Sequence, residues 1–134
     1  MRRQRAEFPL KLDGVAAARA FFSGCFADCD PALERLWVAH LDPQSKCLHL
    51  SGHAGNEYGT EFPLRSIIAD AAIHGTSAIL LAHNHPSGDP TPSQSDRRAT
   101  VRLACAAEAL GCLVADHLVF GGASSTSFRE LGLL

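Results

Sequence analysis

The chain has 134 residues, 46% of them hydrophobic and 19% charged, with a formal net charge of −2, the balance of one ordinary globular domain. That apolar fraction with so little net charge excludes intrinsic disorder, and no stretch approaches the ~18 uninterrupted apolar residues of a membrane span. A pI near 6.4 disfavours a dedicated nucleic-acid binder, whose affinity rests on an excess of Lys and Arg against phosphate.

The opening residues, MRRQRAE, are basic but lead into no continuous apolar run, so no secretory signal is read and cytoplasm is the expected location. The five cysteines, Cys25, Cys29, Cys47, Cys105 and Cys112, are odd in number and lack the paired C-x-x-C spacing of a zinc ribbon. They read as small buried hydrophobes.

Asp13 is placed to N-cap an amphipathic helix through Val15, Ala18, Phe21 and Phe22, closing near Gly24 or at the Asp30-Pro31 step. Residues 34–41 form a short apolar run stopped by Asp42-Pro43, and a second run spans residues 47–53. Together they predict a hairpin. Pro63 suits the first turn of a helix over Leu64, Ile67, Ile68, Ala71 and Ala72, with Gly75 as its stop. Residues 77–82, SAILLA, are continuously apolar and predict a central strand covered on both faces. Residues 83–93 carry three prolines and a glycine and read as a loop. A helix over residues 93–110 follows, then a strand over 113–120, a glycine turn, and a final strand at 127–129. This order predicts an α/β fold.

The sharpest feature is His83-x-His85 at the end of the apolar strand, with Ser93 and Asp96 at the start of the next helix. In extended backbone, residues two apart share a side with Cα atoms about 6.5 Å apart, so two imidazoles converge on one ion. A carboxylate from the helix closes a third corner, and two nitrogens, one oxygen and an open position describe a catalytic zinc site. Each part has a plainer account. Ser93-x-x-Asp96 is also a helix-capping pattern, and a histidine at a strand end is also a hydrogen-bonded loop residue. Joint placement favours the site, and cap and site are compatible. His49 and His53 share a strand face but stand about 13 Å apart, so they are read as surface histidines; His40 and His74 receive no role.

The stretch HNHPSGDPTPSQSD, His83 to Asp96, closely resembles the signature of the RadC family, bacterial members of the JAB/MPN (JAMM) metalloprotease-like domains. The spacing H-x-H-x7-S-x2-D is the JAMM pattern. The similarity continues through Ala82 before it and through DHLVFGG and SFRELGLL after it, so it covers roughly residues 34–134. The resemblance implies a single α/β JAB/MPN-type domain, a mixed sheet flanked by helices in a cytidine-deaminase-like architecture. Residues 1–30 would be an N-terminal arm and helix, residues 34–134 the motif-bearing core, with no helix-hairpin-helix domain.

It further implies that His83, His85 and Asp96 bind Zn²⁺ with water as the fourth ligand. Glu34 would act as the general base, and Ser93 with the ion would stabilise an oxyanion during hydrolysis of a peptide or isopeptide amide. Glu57 and Glu61 rival Glu34, because residues 52–63 depart from the usual RadC pattern of a Gly-Thr and a His-Pro-Arg. Arg65 matches that arginine, with Leu64 intervening. Asn84 and Ser87 are loop-fixing groups or supports of the site. His117 either supports the site from a neighbouring strand or is a core histidine, and the core reading is favoured. Arg97, Arg98 and Arg102 read as a solvated helix face, with an acidic partner as the sharper account. The expected partner is a peptide or protein substrate; direct DNA binding is disfavoured, membrane association is not expected, and a homodimer is compatible with the reading. Two alternatives stand beside hydrolysis: a DNA-repair-associated accessory protein, and a catalytically silent metal-binding domain.

Overall fold

A computed structural model describes residues 11–55 and 62–134. The elements are α1 (Val15–Ala27), β1 (Arg35–Leu41), β2 (Cys47–Ala54), α2 (Leu64–His74), β3 (Ala78–Asn84), α3 (Gln94–Glu108), β4 (Leu113–Gly121) and β5 (Ser124–Ser127). They build the expected α/β fold, with five strands in the order β2-β1-β3-β4-β5. Only β3 and β4 run parallel, and α3 is the crossover that parallel neighbours require.

Strand β3 shows why the middle of the sheet reads as unbroken hydrophobicity. Its Ile79 and Leu81 point to one face, where Leu36 and Val38 of β1 meet Ile67 and Ala71 of α2 and Leu103 and Ala107 of α3. Its Leu80 and Ala82 point to the other, where Ala39, Leu41 and Leu118 meet Ala18 and Phe22 of α1. Both pleat faces are therefore buried, and removal of each large side chain from water contributes roughly 1.5–3 kcal/mol.

Several expectations change in detail. Asp13 does not cap α1: Gly14 occupies the N-cap with φ 101° and no side chain bonds the first turn. The helix passes through Gly24 and ends at Ala27, because α1 is held by packing of Phe22 rather than by its end signals. Strand β3 runs on through His83 and Asn84, since His83 is paired on both sides, with Leu36 of β1 and Val119 of β4. The last strand is Ser124–Ser127, not 127–129, because buried Asp116 accepts from Ser127 Oγ (2.6 Å) and Arg129 N (3.0 Å) and bends the chain away from the ladder. Among the cysteines only Cys112 is buried, and Cys105 is exposed. Cys105 lies two residues from both Leu103 and Ala107, the core contacts of α3, which puts it on the solvent side. Among the described residues, no helix is long and apolar enough to cross a membrane.

Candidate functional site

Strand β3 delivers His83 into the sheet interior, 1% exposed, and the loop after it is tied back so that His85 stays beside it. His85 N donates to Phe120 O of β4 (2.8 Å), and Gly88 N donates to His85 O (3.0 Å). Thr126 Oγ1 of β5 donates to Pro90 O (2.6 Å). The loop packs so closely on β4 that a Cβ at Gly121 would fall 2.6 Å from Pro90 N and 2.7 Å from Asp89 C. Glycine is the residue that admits another backbone at that range.

Helix α3 brings the carboxylate. Ser93 and Asp96 form a reciprocal cap: Asp96 N donates to Ser93 Oγ (3.0 Å) and Ser93 N donates to Asp96 Oδ2 (2.8 Å). The cap aims the carboxylate at the histidines. Cap and site coexist in one residue pair.

His83, His85 and Asp96 are a group that could hold a metal ion. His83 Nε2 is 3.1 Å from His85 Nε2 and 3.3 Å from Asp96 Oδ1, and His85 Nε2 is 3.1 Å from Asp96 Oδ2. A tetrahedral ion with ligand bonds of ~2.0–2.1 Å separates its donors by about 3.3 Å. The two nitrogens stand near that spacing from each other, and each stands near it from a different oxygen of the Asp96 carboxylate.

The surrounding hydrogen bonds orient the donors. Thr100 Oγ1 donates its one hydrogen to Asp96 O (2.7 Å), so it accepts from His117 Nδ1 (2.8 Å). His117 Nε2 then carries a lone pair and accepts from His83 Nδ1–H (2.8 Å). On the other side, Asp89 O can only accept, so His85 Nδ1–H donates to it (2.8 Å). Both Nε2 atoms are thereby turned toward each other and toward a carboxylate. Two imidazole lone pairs and an anion at such range repel unless positive charge lies among them. A divalent cation fits this donor set.

Without an ion, a proton supplies that positive charge: burial opposes ionisation of Asp96, but the hydrogen bond and charge of a protonated His83 imidazole and the Ser93 N–H outweigh it and hold the carboxyl well below its usual range. His117 is fully buried, and desolvation pushes its pKa well below 6.5. It stays neutral and can accept from His83. Phe128 stacks on it at 4.6 Å and 18°, and Phe62 meets it edge-on at 5.4 Å.

Glu34 sits exposed just before β1. Asn84, next to His83, clamps the backbone around it: Arg35 N donates to Asn84 Oδ1 (2.7 Å), and Asn84 Nδ2 donates to Leu33 O (3.0 Å). The β1–β3 register pairs Leu36 with His83, so Glu34, two residues on, shares the face of the sheet that bears His83. Gly55 N donates to Glu34 O (2.9 Å). Glu57 and Glu61 lie outside the described residues. Ser87 Oγ accepts from Asp89 N (3.2 Å), a turn-fixing contact. Arg65, Arg97, Arg98 and Arg102 are exposed.

Sequence reasoning missed Thr100, the Asp89 carbonyl and the role of Gly121; of its two accounts of His117 it favoured the core histidine over support from a neighbouring strand, and the residue is both, buried and bonded to His83. His40, His49 and His74 also prove to be neighbours, His49 and His74 stacking at 4.3 Å. Spacing along one strand hides this, because α2 returns across it.

A family model described as RadC-like JAB domain matches residues 12–133. The chain is 40% identical over 102 residues to UPF0758 protein YfjY of Escherichia coli K12, covering 75% of this chain and 64% of that protein. It is 41% identical over 106 residues to UPF0758 protein YkfG of the same organism, covering 77% and 67%. With UPF0758 protein STH371 of Symbiobacterium thermophilum it shares 53% identity over 70 residues, 52% of this chain and 30% of that protein.

Proposed function

Because the chain belongs to the RadC-like JAB domain family, we propose that it is a zinc-dependent hydrolase of peptide or isopeptide amide bonds. The observation that carries this reading is the orientation of His83 Nε2 and His85 Nε2, each set by a hydrogen bond on its other nitrogen, toward the Asp96 carboxylate. His83, His85 and Asp96 would hold the ion through two imidazole nitrogens and a carboxylate, a donor set that suits Zn²⁺. When bound there, Zn²⁺ supplies Lewis acidity that polarises a carbonyl and brings the pKa of a water toward ~7.

Glu34 takes the proton from the attacking water and returns it to the departing amine. Its exposed position at the head of β1 leaves it open to both water and substrate. Ser93 Oγ spends a lone pair on the Asp96 amide, which leaves its O–H to donate to the oxyanion that forms on the attacked carbonyl. Asn84 holds the strand end that carries Glu34, through its bonds to Arg35 and Leu33.

The test compares two kinds of variant with a panel of fluorogenic peptide and isopeptide substrates and zinc analysis of the purified protein. Glu34→Gln is expected to keep zinc and lose hydrolysis by a factor of roughly 10² to 10⁴. His85→Ala and Asp96→Asn are expected to lose hydrolysis together with the zinc held at this site. Full hydrolysis by Glu34→Gln would remove it as the base, and a zinc-replete wild type that cleaves nothing on the panel would favour the silent metal-binding reading.

A further inference from the structure

A second histidine cluster lies at the far end of the sheet, outside the site described above. His40 is paired directly with His49 across the β1–β2 ladder, so their side chains share one face. Asp70 and His74, four residues apart on α2, present side chains to that same face. The His40 and His49 ring centroids are 5.5 Å apart, His40 and His74 6.3 Å, and His49 and His74 4.3 Å. His49 Nε2 lies 3.5 Å from Asp70 Oδ2. His40 stands four residues along β1 from Leu36, the partner of His83, about 13 Å at the usual strand rise. The two clusters share no residue.

His40 supplies the observation that points to a ligand. It is 0% exposed, its Nδ1 meets Thr76 Oγ1 at 2.9 Å, and its Nε2 has no hydrogen-bond partner among the described residues. Buried ring nitrogens are ordinarily satisfied. A bound Thr76 at one nitrogen and a bare second nitrogen is the pattern of a metal-ligating imidazole, whose other nitrogen is fixed by a partner.

We propose that His40, His49 and His74, with Asp70, form a second site for a divalent transition metal of the Zn²⁺ type. The three ring centroids lie within 6.3 Å of one another, near the ~5 Å of imidazoles sharing an ion, but the donor atoms themselves are not at ligand spacing until the side chains turn. Binding requires the stacked pair to part. His74 is exposed at the last position of α2, so its side chain is free to swing, and the negative end of the helix favours a cation there. Imidazole and carboxylate donors select Zn²⁺, Ni²⁺ or Cu²⁺ over Mg²⁺ or Ca²⁺. The bound ion would clip the edge hairpin β1–β2 to α2.

Chelator-stripped full-length protein titrated with Zn²⁺ and with Co²⁺, the latter followed by its visible absorption, tests this independently of the hydrolase reading. Wild type is expected to bind two equivalents, and His85→Ala/Asp96→Asn to retain one. Adding His49→Ala or His74→Ala to that double variant is expected to weaken the remaining site by roughly tenfold or more. An anomalous-scattering map of zinc-soaked wild-type crystals is expected to show an ion among His40, His49, His74 and Asp70, and needs no variant to fold. A double variant that binds no metal, or His49→Ala and His74→Ala variants with unchanged affinity, or a map empty at this position, would each overturn the proposal.

Discussion

His117 Nε2 lies 2.8 Å from His83 Nδ1, so a residue of β4 decides which nitrogen of a residue on β3 faces the metal position. His117 can accept that bond because its own Nδ1–H is committed to Thr100. Replacing it with Phe keeps the volume between Phe62 and Phe128 but removes the acceptor. His117→Phe is expected to lower zinc affinity by roughly 10- to 100-fold, as loss of a partner behind a metal-ligating histidine does. Competition with a chromophoric chelator reads the change. An unchanged affinity would mean that His83 needs no orientation from β4.

Gly121→Ala should act on the same site from a different direction. Its Cβ meets the backbone of Gly88, Asp89 and Pro90 at 2.6 to 2.8 Å, and backbone cannot swing aside as a flexible side chain does. The loop must shift, and Asp89 O, which holds His85 Nδ1, shifts with it. The expected result is weaker metal binding with the sheet preserved, seen as a normal far-ultraviolet circular dichroism spectrum beside a raised zinc Kd. A variant with wild-type zinc affinity would show that the loop accommodates a methyl group.

The thiols should separate by position and by pH. Burial, reinforced by the neighbouring Cys29 and Cys47, pushes the Cys25 thiol from 9.0 up to about 12, so it carries almost no thiolate at pH 8. Alkylation at that pH, followed by peptide mass spectrometry, is expected to modify exposed Cys105 first and Cys25 and buried Cys112 far more slowly. Between pH 9 and 12 the folded state keeps a proton on Cys25 that the unfolded chain has lost, so this group makes stability fall as pH rises through that window. Cys25→Ser is expected to flatten that alkaline slope in urea unfolding.

Removal of metal should loosen the start of α3 more than the core. Asp96 is both the N3 member of the cap and one of the three residues that could hold an ion, whereas Leu103 and Ala107 further along α3 are held by the sheet. Chelator treatment is expected to speed amide hydrogen exchange in residues 83–97 while leaving residues 103–107 protected. Uniform change along α3, or none, would uncouple the cap from the ion.

The parts legible in the sequence were those with a short period or a local mechanism. His83 and His85 stand two apart on an extended run, Ser93 and Asp96 three apart at a helix start, and both spacings dictate geometry directly. The alternation that buries Ile79 and Leu81 on one face and Leu80 and Ala82 on the other likewise follows from the pleat. What was hidden depends on elements meeting across the fold. Thr100 and His117 are 17 residues apart and His83 and His117 34 apart, and nothing in either neighbourhood announces the pairing. Gly121 reads as a turn residue, although its function is to admit the loop beside it. Asp13 has the right chemistry for a cap, but Gly14 takes the position because α1 is set by its contact with the sheet.

Traced away from the ligand position, the hydrogen bonds return to it. They pass from His83 to His117, from His117 to Thr100, and from Thr100 to the main-chain carbonyl of Asp96. The circuit runs one way, because reversing any donor in it would leave a neighbour with two hydrogens or none. His83 and the backbone of Asp96 are therefore tied into one chain of bonds, and a disturbance at Thr100, which is fully buried, would be felt at both ends of it.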